Sequence, residues 1–594
     1  MKKYLDRIKN HKLFPVIEFF IVLAVCVIQY LSVEISVHNF VSIVQIKFLY
    51  KLIGVATIIF LNILLIFIFK KVRRALNISN LITAVLSIAN FYVYKFHGVP
   101  FNIDLLKNVG TALNVLSSYT FDITLPVVCA VIAAVVQFIL VKIFLDDIKC
   151  ERKVSAISAA VLVIFMVFSY NIKTPLIDRS AVGWSWTGSI NRLGYVPCLV
   201  QSTNMYFNIV QQPKGYDEET VKENIKNIEV NGDNTATPDI ILILNETLYD
   251  LNKITDTGVE SFEYINSLEN AVRGYAVCPA VGGGTNKSEY ELLTSNTLGI
   301  APNVTPFNTF NLDNINSITR HLKDMGYTTF AAHPSSPSNY NREKSYPKLC
   351  FDNVYFDKEF SNFEYYANRS FYPTDESVYK NMIRWYEEMD SAPRFAYMLT
   401  IQNHGDYQFN TPNQSLVKIN RDYGENTEKV AEFMSCMKLS DMAFKMLVDY
   451  YSNVDRDVII CMVGDHAPSF AVEVADKTSD EEQMDILLRS VPYIIWSNNI
   501  DLTEFKQNSN TIGMVNLVPK MLNAAGVKMS PFYSYMENLN ENVPILTSFG
   551  KYVTANGDIY NYNDDAEYTD KVNMYLDFCY ANMKHKDFMM YVNE

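Results

Sequence analysis

Asp239-Ile240-Ile241-Leu242-Ile243-Leu244-Asn245-Glu246 is a short apolar run that ends on a carboxylate. A run this short, with three isoleucines and no alternation, predicts a strand buried on both faces. Val458-Ile459-Ile460-Cys461-Met462-Val463-Gly464 repeats the pattern and ends on Asp465-His466. Other short apolar runs lie at 328–332, 395–401 and 492–496. They alternate with helical patterns at 314–325, 376–388 and 430–450. Strands alternating with helices predict an α/β fold, a mostly parallel sheet sandwiched by helices. In such sheets ligands bind beyond the carboxyl ends of the strands. Glu246, His404 and the pair Asp465-His466 all fall there.

At 594 residues the chain exceeds one domain. Its overall charge of −13 hides two unlike parts. Residues 1–173 hold 18 Lys/Arg and 8 Asp/Glu, a net of +10, and the rest carries −23. The acidic part argues against nucleic acid as a partner, because a phosphate backbone needs clustered Lys/Arg. Nine cysteines without a Cys-x-x-Cys exclude both a zinc framework and a disulfide scaffold.

The basic part is apolar. Stretches at 14–34, 48–69, 81–96, 125–145 and 155–170 predict five membrane spans. Basic clusters before the first, after the second and after the fourth span mark cytoplasmic loops. The N-terminus is then cytoplasmic, and an odd number of spans places everything after Tyr170 outside. Glu18 and Glu34 lie near span ends, where snorkelling is the simplest reading. The loop 101–116 has helical apolar spacing suited to the membrane interface or to packing on its neighbours. Residues 173–237 read as a juxtamembrane helical linker. The folded outer domain follows over 238–548, and a C-terminal tail over 549–594 carries a helical pattern at 566–584.

Gly282-Gly283-Gly284-Thr285-Asn286-Lys287-Ser288-Glu289 is the chemically suggestive segment. Three glycines let backbone approach a ligand closely. A helical pattern over 286–295 sets Thr285 at a helix N-terminus, an end that favours phosphate. A threonine there also serves as a helix cap. Glu246, Asp465 and His466, with the Thr285 oxygen, make a four-ligand set for one divalent metal such as Mn²⁺, Mg²⁺ or Zn²⁺. Metal coordination can activate a hydroxyl that is otherwise a poor nucleophile. His333 ends the run at 328–332, and Arg342 can grip phosphate bidentately. His404 can donate to a phosphoryl oxygen or protonate a leaving group.

The order Glu, Gly-rich-Thr, His…Asn-Arg, Asn-His, Gly-Asp-His, together with five spans, resembles the lipoteichoic acid synthase group. These are phosphoglycerol transferases of the alkaline phosphatase/sulfatase superfamily. The resemblance implies that Glu246, Thr285, Asp465 and His466 bind the metal, with Mn²⁺ the expected ion, and that Thr285 is the nucleophile. It implies that His333, Arg342 and His404 hold the phosphoglycerol group. Tyr340 stands where the family usually has tryptophan, and Gly-Thr-Asn-Lys-Ser replaces its usual Lys-Thr-Ser. Both departures bear on head-group choice. No Cys/Ser-x-Pro-x-Arg element surrounds Thr285, which argues against a formylglycine sulfatase. The expected activity is glycerophosphate transfer from phosphatidylglycerol, through a threonine-linked intermediate, to a glycolipid, polymer or glycan at a bacterial cell membrane. Two other readings stand beside it. One is a phosphoethanolamine transferase or phospholipid phosphodiesterase with the same core, and the other is a non-catalytic lipid- or polymer-binding protein.

Overall fold

The structure is a computed structural model. It describes residues 14–38, 40–97, 100–101, 105, 121–146, 160, 186–207, 210–230, 236–302, 304–313, 315–366, 372–389, 392–405, 407, 415–476, 480–506 and 511–584. The chain divides into two units, Met1–Ile103 with Thr120–Asn208, and Asp104–Tyr119 with Ile209–Glu594.

In the first unit, Val16–Ile35, Phe48–Phe69, Val72–Phe96 and Leu125–Phe144 are helices long and apolar enough to cross a membrane. Among the described residues four such helices stand against the five expected. The fifth stretch, 155–170, lies outside the described residues apart from residue 160, as does most of the loop 101–116. The third helix starts earlier than its hydropathy indicates, at Val72 rather than at 81. Its first turns carry Ser79 and Asn80, which hydrogen-bond to neighbouring helices at Gln29 Oε1 (3.2 Å) and Ala134 O (2.9 Å). Asn62 also donates to Gln29 Oε1 (2.8 Å). Polar side chains that pair between helices hold such bundles together, and they dilute the apolar signal of the span.

Glu34 does not snorkel. It is fully buried, and its carboxylate accepts the backbone N–H groups of Tyr195 (2.9 Å) and Val196 (3.0 Å). The helix Tyr195–Phe207 thereby has its N-terminus capped by a residue 161 positions earlier. The negative side chain satisfies donors that the helix leaves unpaired and complements the positive end of its dipole.

The second unit is built on an eight-stranded sheet. Its strands are β1 (Asp239–Asn245), β2 (Ala271–Val277), β3 (Thr328–Ala332), β4 (Asn353–Tyr355), β5 (Arg394–Leu399), β6 (Val458–Gly464), β7 (Ser490–Ser497) and β8 (Ile512–Gly513). The order is β4-β3-β5-β1-β6-β7-β2-β8, and β7 alone runs against the rest. Every residue of β1 and β6 is buried, so both faces of the sheet centre are covered. Register pairs Ile240 with Ile459 and Asn245 with Gly464. Glu246 and Asp465 therefore leave the sheet side by side.

β2 gave no apolar run. Its centre reads Arg273-Gly274-Tyr275 and is half-buried. Gly274 is required because a Cβ there would lie 2.7 Å from the Tyr493 hydroxyl on β7.

The segment after 548 is not a tail. It forms β10 (Lys551–Val553) and β11 (Ile559–Asn561), which pair with β9 (Ile545–Leu546). The helix Thr569–Lys584 follows. From it Tyr575 donates to Ser295 O (2.9 Å) and Asn582 to Asn296 Oδ1 (3.0 Å). These contacts brace the turn that ends the helix carrying Thr285.

On that helix Glu291 is buried, and burial pushes its carboxyl up to about 8 from the usual 4.5. The unfolded chain ionises near 4.5 while the folded chain resists until about 8, so stability declines as pH rises between them. Glu291→Gln is expected to remove that decline, because Gln keeps an acceptor for the Leu298 N–H, now 2.8 Å from Glu291 Oε1. Thermal midpoints of both proteins from pH 4.5 to 8 would show parallel curves if this burial effect were absent.

Candidate active site

The helix Thr285–Thr294 begins where the glycine run ends. Gly282, Gly283 and Gly284 have φ of 72°, 146° and 95°. Side-chain-bearing residues rarely adopt three such conformations in a row. The run turns the chain sharply from the end of β2 into the helix. Gly284 takes the N-cap position, so Thr285 is the first helical residue and its hydroxyl does not cap. That hydroxyl instead donates to Glu246 Oε2 at 3.4 Å.

Glu246, Asp465 and His466 are all buried, and each offers a ligand atom within 4.8 Å of the others. His466 Nε2 lies 3.3 Å from Asp465 Oδ2 and 3.7 Å from Glu246 Oε1. His466 Nδ1 donates to Ala467 O (3.0 Å), which leaves the Nε2 lone pair for a ligand. Burial, reinforced by the Glu246 charge, raises the Asp465 carboxyl to about 6. Asp465 Oδ2 is buried without a hydrogen-bond partner. Two buried carboxylates, an imidazole lone pair and an unpartnered oxygen fit a divalent cation.

Arg342 is buried and its Nε donates to Glu289 Oε2 at 3.0 Å. Tyr346 donates to the other oxygen of Glu289. Arg342 Nη2 is buried with no hydrogen-bond partner, so a donor for an anion remains. The guanidinium also lies 5.1 Å from the centre of the Tyr340 ring. Tyr340 and Asn341 both have φ in the left-handed region, 52° and 62°. Such strain is typical of sites where neighbouring structure dictates the backbone.

His333, at the end of β3, donates from Nδ1 to Leu399 O (3.1 Å). Burial above all, helped by the Arg342 charge, holds its imidazole well below the usual value. His333 is therefore neutral, with Nε2 as an acceptor suited to a hydroxyl. His404 donates from Nδ1 to Gly405 O (2.7 Å), and its ring centre lies 5.0 Å from that of Tyr372. A polar network fixes the strand end before it. Asn403 donates to Asn245 Oδ1 (2.9 Å), and Asn245 and Ser440 both donate to Asp375 Oδ2 (2.8 and 2.6 Å).

Residues 238–527 match the Sulfatase family model. They form a sulfatase-like domain. The chain is 26% identical over 384 residues to a Rhizobium meliloti protein named for cyclic beta-1,2-glucan modification. The match covers 62% of this chain and 58% of that protein, so the chain spans less than two thirds of its relative. Among solved structures, the integral membrane lipooligosaccharide phosphoethanolamine transferase A from Neisseria meningitidis superposes with a TM-score of 0.51. It is 12% identical, over 84% of this chain and 95% of that one. The Streptococcus pyogenes phosphoglycerol transferase GacH gives a TM-score of 0.48 at 18% identity, over 64% and 97% of the two chains. At these identities the likeness is one of fold.

The sulfatase-like domain holds residues near the site that sequence reading did not single out. Thr247 follows Glu246 and touches both carboxylates, and Glu289 holds Arg342. Thr247 lies in no apolar run or motif, and Glu289 closes the glycine-threonine segment, where only Thr285 drew notice. Glu289 sits four residues after Thr285, one helical turn along, which is the signal that could have found it.

Removing the carboxylate of Glu289 strands a buried guanidinium. Glu289→Ala is expected to lower unfolding stability by about 3–5 kcal/mol, as for other broken buried pairs. Denaturant unfolding of the purified protein measures this. A loss under ~1 kcal/mol would show that the pair is solvated in solution.

Proposed function

We propose that the chain is a membrane-anchored phosphoglycerol transferase whose sulfatase domain works outside a bacterial cell. Its donor is phosphatidylglycerol, and its acceptor is a hydroxyl on a glycolipid, polymer or glycan. The observation that carries this reading is the Thr285 hydroxyl, set at a helix N-terminus against Glu246 Oε2. The buried, partly unpaired Arg342 supplies the charge that an anionic phosphodiester needs.

Glu246, Asp465, His466 and Thr285 would hold one divalent ion. When bound, that ion lowers the pKa of the threonine hydroxyl and polarises the phosphoryl oxygen. The hydroxyl first loses its proton to solvent. Thr285 Oγ1 then bonds to phosphorus, the bond from phosphorus to the diacylglycerol oxygen breaks, and protonated His404 gives that oxygen its Nε2 proton while Nδ1–H stays on Gly405 O. In the second displacement His404 Nε2 takes the proton of the acceptor hydroxyl. The acceptor oxygen bonds to phosphorus, the bond from phosphorus to Thr285 Oγ1 breaks, and Thr285 leaves as the alkoxide that attacked, regaining a proton from solvent between cycles. Arg342 binds a phosphoryl oxygen throughout, and neutral His333 accepts a hydrogen bond from a glycerol hydroxyl. Tyr340, against Arg342, bounds the head-group space.

Phosphoethanolamine transfer is the second reading. It draws on the fold shared with the Neisseria transferase across both units. Such a head group brings an ammonium in place of glycerol's two free hydroxyls. The Arg342 charge that acts on His333 disfavours a second cation there, which favours glycerol.

The test is intact mass of the purified full chain, wild type and Thr285→Ala, after incubation with phosphatidylglycerol and Mn²⁺. A glycerophosphate-sized adduct on wild type alone is expected. An adduct from phosphatidylethanolamine but not phosphatidylglycerol would replace the donor. An unchanged adduct on Thr285→Ala would remove the nucleophile.

A further inference from the structure

Thr247 is β-branched, yet its φ is +49°. That conformation is a true outlier for such a side chain. A chain reversal alone would be served better by glycine or asparagine. The residue is buried, and both of its donors reach the cluster of Glu246, Asp465 and His466. Its backbone N–H donates to Asp465 Oδ1 at 2.6 Å. Its hydroxyl donates to Glu246 Oε1 at 2.7 Å. The His466 N–H adds a second donor to Asp465 Oδ1 at 2.8 Å.

Each carboxylate thus has one oxygen occupied and the other turned inward. Asp465 Oδ2 has no hydrogen-bond partner, and Glu246 Oε2 meets the Thr285 hydroxyl. Two buried carboxylates this close repel, and a free carboxylate turns easily about its last bond. We infer that Thr247 is a positioning residue that clamps Glu246 and Asp465 so that their remaining oxygens converge on one divalent cation. The strained backbone is the means, because only the left-handed turn lets one residue reach both strand ends at once. This rests on the metal reading of the site.

The test titrates full-length protein in detergent, stripped with EDTA, with Mn²⁺ by calorimetry. Thr247→Val removes the hydroxyl and keeps the branched shape. Thr247→Ser restores the hydroxyl and serves as the rescue. Thr247→Val is expected to raise the Mn²⁺ Kd by about 10–100-fold, the range typical of residues that orient metal ligands, while Thr247→Ser stays near wild type. The thermal midpoint of each metal-free variant separates misfolding from lost affinity. Wild-type affinity in a folded Thr247→Val overturns the clamp. Equal weakening in Thr247→Val and Thr247→Ser, with equally lowered midpoints, also overturns it in favour of a structural turn. A wild type that binds neither Mn²⁺, Mg²⁺ nor Zn²⁺ overturns the metal reading itself and this inference with it.

Discussion

Two carboxylates buried side by side are the constraint on which the second unit turns. β1 and β6 are adjacent and parallel, and their register puts Asn245 opposite Gly464. The next residue of each strand is acidic, so Glu246 and Asp465 must emerge together beneath the surface. Like charges in such a place are costly unless a cation or a proton joins them. Most of the nearby structure answers that cost. Thr247 supplies two donors, the His466 N–H donates to Asp465 Oδ1 at 2.8 Å, and Thr285 brings a hydroxyl.

A second buried charge is handled differently. Arg342 is already paired, with Glu289, and that pair ties the turn at Tyr340–Asn341 to the helix that begins at Thr285. The carboxylate fixes Nε and leaves Nη2 open. A guanidinium held by one edge keeps its direction while its other edge binds, which suits a planar fork of donors. Three histidines share one further device. His333, His404 and His466 each donate Nδ1–H to a backbone carbonyl, which fixes the tautomer and exposes Nε2.

The membrane unit shows the same economy of charge. Glu34 is buried where the bilayer would make it expensive, and it is stabilised by the N-terminus of the helix Tyr195–Phe207. The helices are therefore more than an apolar anchor. Polar contacts between them fix their packing, as Gln29, Asn62 and Ser79 do in one cluster.

What the sequence determined by itself is the part that local pattern encodes. The central strands β1, β3, β5 and β6 were legible because burial on both faces demands unbroken apolar runs, and the acidic and histidine residues at their ends marked the site edge. The glycine run before Thr285 was legible because residues with side chains rarely adopt three such backbone angles in a row. Edge strands β4 and β8 and the half-buried β2 were not legible, since short or mixed segments carry no period. Only the tertiary structure decided that Gly284 caps the helix in place of Thr285, that Glu34 caps a distant helix, and that residues 551–584 complete the domain. It alone placed Thr247 between two carboxylates and Glu289 beneath Arg342. These roles depend on partners 53 to 280 residues away or on a strained dihedral, and no local spacing records either.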